Sequence, residues 1–197
     1  MAWVATCFVL LLWLAHYAIQ PITADATLHY VAPHGQCGEA VPCYATLQAA
    51  VWAADPHDEI RMAAGVYTDA HHIEWAGVLI SATAFITKPI TIQGGYAITN
   101  WQFADPAQNP TILDGQQNGS VFRVLLHTPA LLTETVTIAG LKITNAAPMG
   151  QDENELSFNS GSGIFLSGGH ITLTHNHIYS NTATANGGGI RIDGWTF

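Results

Sequence analysis

The sequence predicts an all-β protein, a parallel β-helix (solenoid) that begins with a short capping helix. Short strands with apolar residues two positions apart recur along the chain, and Gly or Asn closes them. Beyond the first 26 residues, one segment alone has helical periodicity. Charged residues make up 10% of the chain, whereas helical proteins normally place many Lys and Glu on their solvent faces. These observations favour stacked strands with tight corners over a helical bundle.

Residues 1–26 are predicted to be a secretory signal peptide. Residues 2–19 are almost wholly apolar, and the triplet Ala24-Asp25-Ala26 fits the small-residue rule for cleavage after Ala26. A histidine and a proline interrupt the apolar run too early for a comfortable membrane span, and an uncleaved membrane anchor is the alternative. We therefore expect an exported protein with an extracellular or cell-surface (outer membrane) location and no membrane insertion of the mature segment.

The charge balance restricts the partners. The formal net charge is -9, and five Lys and Arg residues are spread along the chain. Such a chain offers no patch that neutralises a run of phosphates, so nucleic acid and anionic lipid are poor partners. Neutral polymers or cations fit better.

Residues 27–84 are predicted to form an N-terminal cap. Residues 28–31 alternate as a short strand, and residues 59–67 have the pattern of strand, bend and strand. Between them, a helix is predicted over residues 46–54, with Thr46 as its N-cap. We expect this helix to cover the open N-terminal end of the stack, because repeat arrays need atypical terminal units.

Two cysteines of the cap lie close together. Cys37 and Cys43 are surrounded by Gly and Pro, and two close cysteines in an exported chain indicate a disulfide. The loop is short, so the disulfide would constrain the unfolded chain only modestly, and its role would be to fix the conformation of the N-terminal turn. A metal-binding pair is the alternative, although further thiols and a suitably spaced His are missing.

Residues 85–197 are predicted to form the coils of the β-helix, truncated at the C-terminus. Two phrases alternate here, and both place apolar residues two positions apart. The first occupies residues 89–94, 135–140 and 170–175, and the second occupies residues 120–124, 162–166 and 188–192. Ile164 and Ile190 are 26 positions apart, which suits one coil of three short strands. Apolar side chains are expected inside, with Thr, Lys, Arg and His outside.

The end of the sequence adds one expectation to this coil prediction. Residues 194–197 follow directly on the start of a fresh coil. This predicts an incomplete N-terminal fragment of a longer product, or a chain that continues by pairing with another.

Six residues are expected to have structural roles at corners. Gly and Asn tolerate left-handed backbone conformations best, and buried side-chain amides can bond the backbone from coil to coil. The predicted corner residues are Asn145, Asn176, Asn181, Gly187, Gly188 and Gly189.

Two segments resemble known families. Residues 178–190, with their Asn and Gly-Gly-x-Ile elements, resemble the repeat of the polymorphic outer-membrane protein family. Residues 42–51 together with residues 63–67 are similar to the N-terminal part of secreted right-handed parallel β-helix proteins of the pectin-lyase-like superfamily. Neither motif is catalytic. The resemblance implies a right-handed coil, export and a surface location with adhesion or shielding roles.

Catalysis is the alternative interpretation. A polysaccharide lyase needs grouped acidic calcium ligands and a nearby base, whereas the acids here are dispersed. The pairs Asp114 with Arg123 and Asp193 with Arg191 could face one another but are expected to be solvated charges. Residues 168–170 resemble one glycosidase element, yet its companion acidic and Arg-Ile-Lys elements are missing. No catalytic residue is therefore predicted, although a carbohydrate-active enzyme with its catalytic coils beyond residue 197 stays open.

No cofactor or metal site is predicted. His175 and His177 lie two positions apart near His170, but a zinc site requires a third ligand and a second shell of hydrogen bonds. Exposed histidines are the favoured interpretation, also for the pair at residues 71–72. The acidic residues 152–155 could hold Ca²⁺, but they lack the spacing of a known calcium loop.

One loop carries a candidate for ligand contact. Trp101 is followed by Phe103 among Asn, Gln and Pro, and an exposed Trp can stack on a sugar ring. The favoured function is therefore a non-enzymatic surface or secreted protein that mediates adhesion. Its expected partner is an extracellular glycan or the surface of a host or neighbouring cell.

Overall fold

The computed structural model describes residues 26–75, 78–147 and 162–193. Residues 1–25 of the predicted signal peptide, the acidic residues 152–155 and residues 194–197 lie outside the described residues. Within the part that is described, no helix has the length and apolar character needed to cross a membrane.

The described residues form fifteen strands and one α-helix. The strands are β1 Leu28–Val31, β2 Cys43–Tyr44, β3 Glu59–Ala63, β4 Gly65–Tyr67, β5 His71–Trp75, β6 Val78–Ile86, β7 Thr91–Tyr96, β8 Thr111–Asp114, β9 Ser120–Leu125, β10 Thr135–Ala139, β11 Leu141–Thr144, β12 Ile164–Ser167, β13 His170–Thr174, β14 His177–Tyr179 and β15 Ile190–Asp193. The helix α1 spans Leu47–Ala53, as expected from the periodicity. The mostly-β prediction is confirmed.

The strands form three sheets that the chain visits in a repeating order. The first sheet has the order β13-β10-β7-β3-β1-β2, the second β14-β11-β8-β4, and the third β15-β12-β9-β6-β5. Every strand pair is parallel except β5 with β6, which form an antiparallel hairpin at one end of the third sheet. From β6 onward, each circuit adds one strand to each sheet.

The two phrases pair in the register that the sequence predicts. In the first sheet, Thr91 aligns with Thr137 and Thr137 with Thr172. In the third sheet, Phe122, Ile164 and Ile190 align in the same way. The strands of the second sheet have only three or four residues each and were not recognised as a separate phrase.

The core lies between the three sheets. Ile60, Ile92 and Ile138 form one inner row of the first sheet and are fully buried. Burial decreases toward the last described strand, where Ile192 is 63% exposed. Strand β3 pairs directly with β7 in the first sheet, so residues before and after position 84 share this sheet.

Helix α1 packs on β1, β2, β3 and β6, which are early strands of the first and third sheets. Thr46 acts as its N-cap, because its Oγ1 accepts the Ala49 N–H at 3.2 Å. Leu47 and Val51 face the core. The buried Gln48 amide accepts the Phe85 N–H and donates to the Phe85 carbonyl, and it thereby completes the edge of β6.

Arg123 lies on the outer side of its sheet, as expected for Arg side chains, but it is not exposed to solvent. This residue of β9 is 3% exposed, and its guanidinium lies 4.9 Å from the centroid of the Phe165 ring. Phe85, Arg123 and Phe165 are in register on the outer side of the third sheet, and all three are buried. That face is thus covered instead of solvated, and burial lowers the pKa of Arg123 to about 10.

Candidate binding cleft

An open cleft of about 710 Å³ lies beside the first sheet. Successive residues of a strand point to opposite faces, so the inward positions of Ile60 and Met62 turn Arg61 outward. Tyr30 on β1 is the direct neighbour of Arg61 on β3. The loop after β7 supplies the opposite wall, with Asn100, Trp101 and Gln102.

Arg61 is held in place at the floor of the cleft. Its Nε donates to Glu59 Oε1 at 2.7 Å, and its Nη1 donates to the carbonyl of Trp101. The guanidinium also lies 5.3 Å from the centroid of the Tyr96 ring. The hydrogen bond with Glu59 is the main reason that the pKa of Arg61 is raised. The cleft therefore contains a fixed, permanently charged group whose Nη2 makes no hydrogen bond with any described residue.

Trp101, the predicted sugar-stacking residue, lines the cleft but is half-buried. Its Nε1 donates to the Cys37 carbonyl at 3.1 Å. Its ring meets Tyr30 edge-on at 5.0 Å between centroids and lies 5.8 Å from Tyr96. The indole is therefore a rigid wall of the cleft instead of a free platform, while Phe103, two positions later, is 73% exposed.

The predicted disulfide between Cys37 and Cys43 is confirmed. Cys37 is buried with Ala32 and Ala63, and Trp101 packs against this small cluster. Since the Cys37 carbonyl accepts the indole N–H of Trp101, the disulfide loop helps to position one wall of the cleft. The bond thus has a local role near the predicted binding residue.

Two of the predicted corner asparagines bond the backbone beside the preceding strands of the first and second sheets. Asn176 Oδ1 accepts the Leu141 N–H at 3.0 Å, and its Nδ2 donates to the Ile138 carbonyl at 2.7 Å. Asn181 makes the same pair of bonds with the Ala146 N–H and the Ile143 carbonyl, both at 3.0 Å. Each side chain therefore satisfies a donor and an acceptor at a turn, where no strand partner is present to do so.

The other predicted corner residues differ in backbone conformation and in the space available for a Cβ atom. Asn145 has φ 54° and Gly187 has φ 63°, so both lie in the left-handed region. A Cβ on Gly188 would come within 2.6 Å of the Asn181 carbonyl oxygen. The nearest contact of a Cβ on Gly189 would be 3.7 Å, which is ordinary van der Waals distance.

Of the two candidate acid–base pairs, Asp114 with Arg123 is separated, whereas Asp193 with Arg191 is in contact. Asp114 lies in the second sheet and accepts the Gln116 N–H, whereas Arg123 lies in the third sheet. Arg191 donates to Asp193 at 2.7 Å. The described stretches contain no group of three or more His, Cys, Asp or Glu side chains arranged for a metal ion.

The predicted surface histidines are exposed except for His71, which is half-buried with its ring centroid 5.5 Å from that of Trp52. His170, His175 and His177 all face solvent at the last described circuit of strands. The ring of His177 packs on the ring of Tyr179 at 4.5 Å between centroids.

Sequence reasoning missed a buried polar network at the start of the first sheet. His29 Nε2 lies 2.9 Å from Asp58 Oδ2, and His29 Nδ1 lies 3.3 Å from the Tyr44 hydroxyl. Asp58 also accepts the N–H groups of Thr27 at 2.7 Å and Asp55 at 2.8 Å. The available signal was the alternation of residues 28–31, which places His29 on the same side as the buried Val31.

The Asp58 carboxyl is buried but ionises readily. Burial alone raises its pKa, yet the hydrogen bonds from His29 and from the backbone of Asp55 and Thr27 outweigh this effect. The charge of a protonated His29 acts in the same direction. The net result is a pKa below the usual range for an aspartate.

The cleft thus combines aromatic rings, side-chain amides and a fixed guanidinium, a set of groups that binds polar ligands with apolar faces. Comparisons of the chain with models of protein families, with curated proteins and with solved structures found no match.

Proposed function

We propose that this chain is an exported cell-surface or secreted protein whose three sheets wind into a right-handed parallel β-helix, and that it contacts glycans without catalysing a reaction. The repeating visit to three parallel sheets supports the coil. Crossover connections between parallel strands are right-handed in about 98% of cases. The resemblance of residues 178–190 to an outer-membrane repeat supports the surface location.

The cleft beside the first sheet is the observation that carries the glycan proposal. Sugar rings have apolar C–H faces that pack on aromatic rings and hydroxyls that hydrogen-bond to amides and guanidinium groups. Tyr30 and Trp101 supply the rings, and Asn100, Gln102 and Arg61 supply the polar groups. The net charge of -9 opposes strongly anionic polymers, so a neutral or weakly charged glycan fits best.

The outer face of the first sheet supports contact with a repetitive polymer. Thr91, Thr137 and Thr172 form one straight row across three parallel strands. Neighbouring strands are about 4.8 Å apart, so the row presents hydroxyl and methyl groups at regular intervals. A polymer with many identical units can meet such a row repeatedly, which raises its avidity.

The test is binding of the exported protein to a panel of neutral and acidic polysaccharides, measured by affinity electrophoresis. Gln102→Ala removes an exposed amide from the cleft, and Gln108→Ala removes a matched exposed amide that does not line it. We expect weaker binding of about fivefold or more for Gln102→Ala, equivalent to the loss of about one hydrogen bond, and no change for Gln108→Ala. Equal binding by both variants would contradict the assignment of the cleft. Release of new polysaccharide ends would contradict the absence of catalysis.

A further inference from the structure

The start of the first sheet contains a buried carboxylate that contacts the first residue after the predicted cleavage position. Asp58 is 5% exposed, and its Oδ1 accepts the Thr27 N–H at 2.7 Å. Thr27 directly follows Ala26, the last residue of the predicted leader. We infer that Asp58 is the receptor for the α-ammonium group that processing after Ala26 creates on Thr27. The inference rests on the proposed export and adds a binding site for the new terminus.

The nitrogen of Thr27 already occupies the position that such a bond requires. The Thr27 carbonyl accepts the Glu59 N–H at 3.1 Å, and the next residue, Leu28, pairs with Glu59 in the parallel register of β1 and β3. Thr27 is therefore fixed from both its nitrogen and its carbonyl side. Hydrolysis of the Ala26–Thr27 peptide bond by a leader peptidase consumes one water and leaves a carboxylate on Ala26 and an ammonium group on Thr27. The nitrogen needs no displacement to become the cation of an ion pair.

Among the described residues, the surroundings of Asp58 contain no permanently charged cation. His29 Nε2 lies 2.9 Å from Asp58 Oδ2 and His29 Nδ1 lies 3.3 Å from the Tyr44 hydroxyl, and this ring carries a positive charge only when it is protonated. Among the described residues, no Lys or Arg forms an ion pair with Asp58. A buried carboxylate without a permanent cation is costly, so an ammonium group at 2.7 Å strengthens the pair through a charge-assisted hydrogen bond.

The other titratable groups near the pair are already engaged or exposed. Glu59 on β3 binds Arg61, and Lys88 before β7 donates to the Ala54 carbonyl after α1. Asp55 and His57, in the loop that leads to β3, have exposed side chains. Asp58 is therefore the carboxylate best placed to hold the new terminus.

This arrangement makes processing stabilise the first strand. Before cleavage, the contact is a neutral amide donating to a carboxylate, and after cleavage it is an ion pair with a hydrogen bond. The favourable contact with Asp58 stabilises the charged form of the terminus. The pKa of the α-amino group should then lie above its ordinary value of about 7.7–8.0.

The experiment uses the full chain exported from a bacterial host. Mass spectrometry of the recovered protein gives its N-terminal residue, and competitive acetylation at a series of pH values gives the pKa of the α-amino group. We expect an N-terminus at Thr27 and an α-amino pKa raised by about one unit or more. Asp58→Asn should return it to the ordinary value, and Asp55→Asn, which removes an exposed carboxylate three positions earlier, should leave it raised.

A second variant keeps the test decisive if Asp58→Asn does not fold. One glycine inserted between Ala26 and Thr27 moves the ammonium group away by up to about 3.6 Å and leaves Asp58 intact, so the raised pKa should disappear. An N-terminus at Thr27 with the same ordinary pKa in every variant would overturn the inference while export stands. An N-terminus elsewhere would also overturn it. Recovery of an unprocessed chain would contradict both the predicted leader and this inference.

Discussion

Replacement of Gln48 by Met tests whether a helix side chain completes the edge of the third sheet. Gln48 is fully buried, and its Oε1 accepts the Phe85 N–H at 2.7 Å while its Nε2 donates to the Phe85 carbonyl at 3.4 Å. Met has a similar volume but leaves both backbone groups of Phe85 without a partner. Each buried unsatisfied group costs about 1–3 kcal/mol. Because the second bond is long and therefore weak, we expect a loss of about 2–4 kcal/mol in the free energy of unfolding.

Urea denaturation followed by circular dichroism measures this loss. Gln108→Met is the matched control, because Gln108 is exposed in a loop, and it should stay within about 0.5 kcal/mol of the unchanged protein. Gln48→Glu provides a second arm. Its buried carboxylate has a raised pKa, so the destabilisation should be large at neutral pH and should shrink as the pH falls and the protonated acid donates to Phe85. If Gln48→Met and Gln108→Met unfold at the same urea concentration, the amide does not satisfy the edge of β6 and the reasoning fails.

Three further predictions concern the corners, the disulfide and the buried carboxylate. Gly188→Ala should lower the free energy of unfolding by about 1–3 kcal/mol, because its Cβ would lie 2.6 Å from the Asn181 carbonyl oxygen. Gly189→Ala should be nearly neutral, because the nearest atom to its Cβ would be 3.7 Å away. Equal urea midpoints for the two variants would contradict this prediction. Reduction of the disulfide should lower the free energy of unfolding by about 2–3 kcal/mol, the value for so short a loop. Urea denaturation with and without dithiothreitol measures this loss, and an unchanged midpoint would show that the bond does not stabilise the fold. Since the folded-state pKa of Asp58 is lowered, its stabilisation is present above the unfolded pKa of about 3.9 and is lost as the pH falls through the folded value. Thermal melts should therefore show a weaker acid dependence in Asp58→Asn, and identical acid profiles would exclude this role.

The register of the sheets was predictable because it depends on local periodicity. In the first phrase, apolar residues alternate with Thr, and this period of two can bury only one face, so Thr91 and Thr137 had to align. For the same reason, Phe122 aligns with Ile164 in the second phrase. The coil length implied a third strand in each coil, but the strands of the second sheet formed no separate phrase, because three or four residues show too little alternation.

The covered and buried polar residues could not be predicted from alternation. Alternation places Arg123 on the outer side of its strand, and only tertiary packing decides that this side is covered. His29 occupies an inner position, but its partner Asp58 lies 29 positions away, so no local pattern reveals the pair. Trp101 was recognised as a candidate from composition, while its contact with the Cys37 carbonyl joins residues 64 positions apart.

Strand β1 links the two sites described above. Because successive residues of a strand face opposite sides, His29 points inward to Asp58 while Tyr30 points outward to Arg61 and Trp101. The group that binds the start of the chain and the wall of the cleft are therefore carried by adjacent residues of one short strand. Tyr30 is also held by its own N–H, which donates to the Pro42 carbonyl at 3.0 Å, and by its contact with Trp101, so the wall of the cleft does not depend on the Thr27 end of the strand alone.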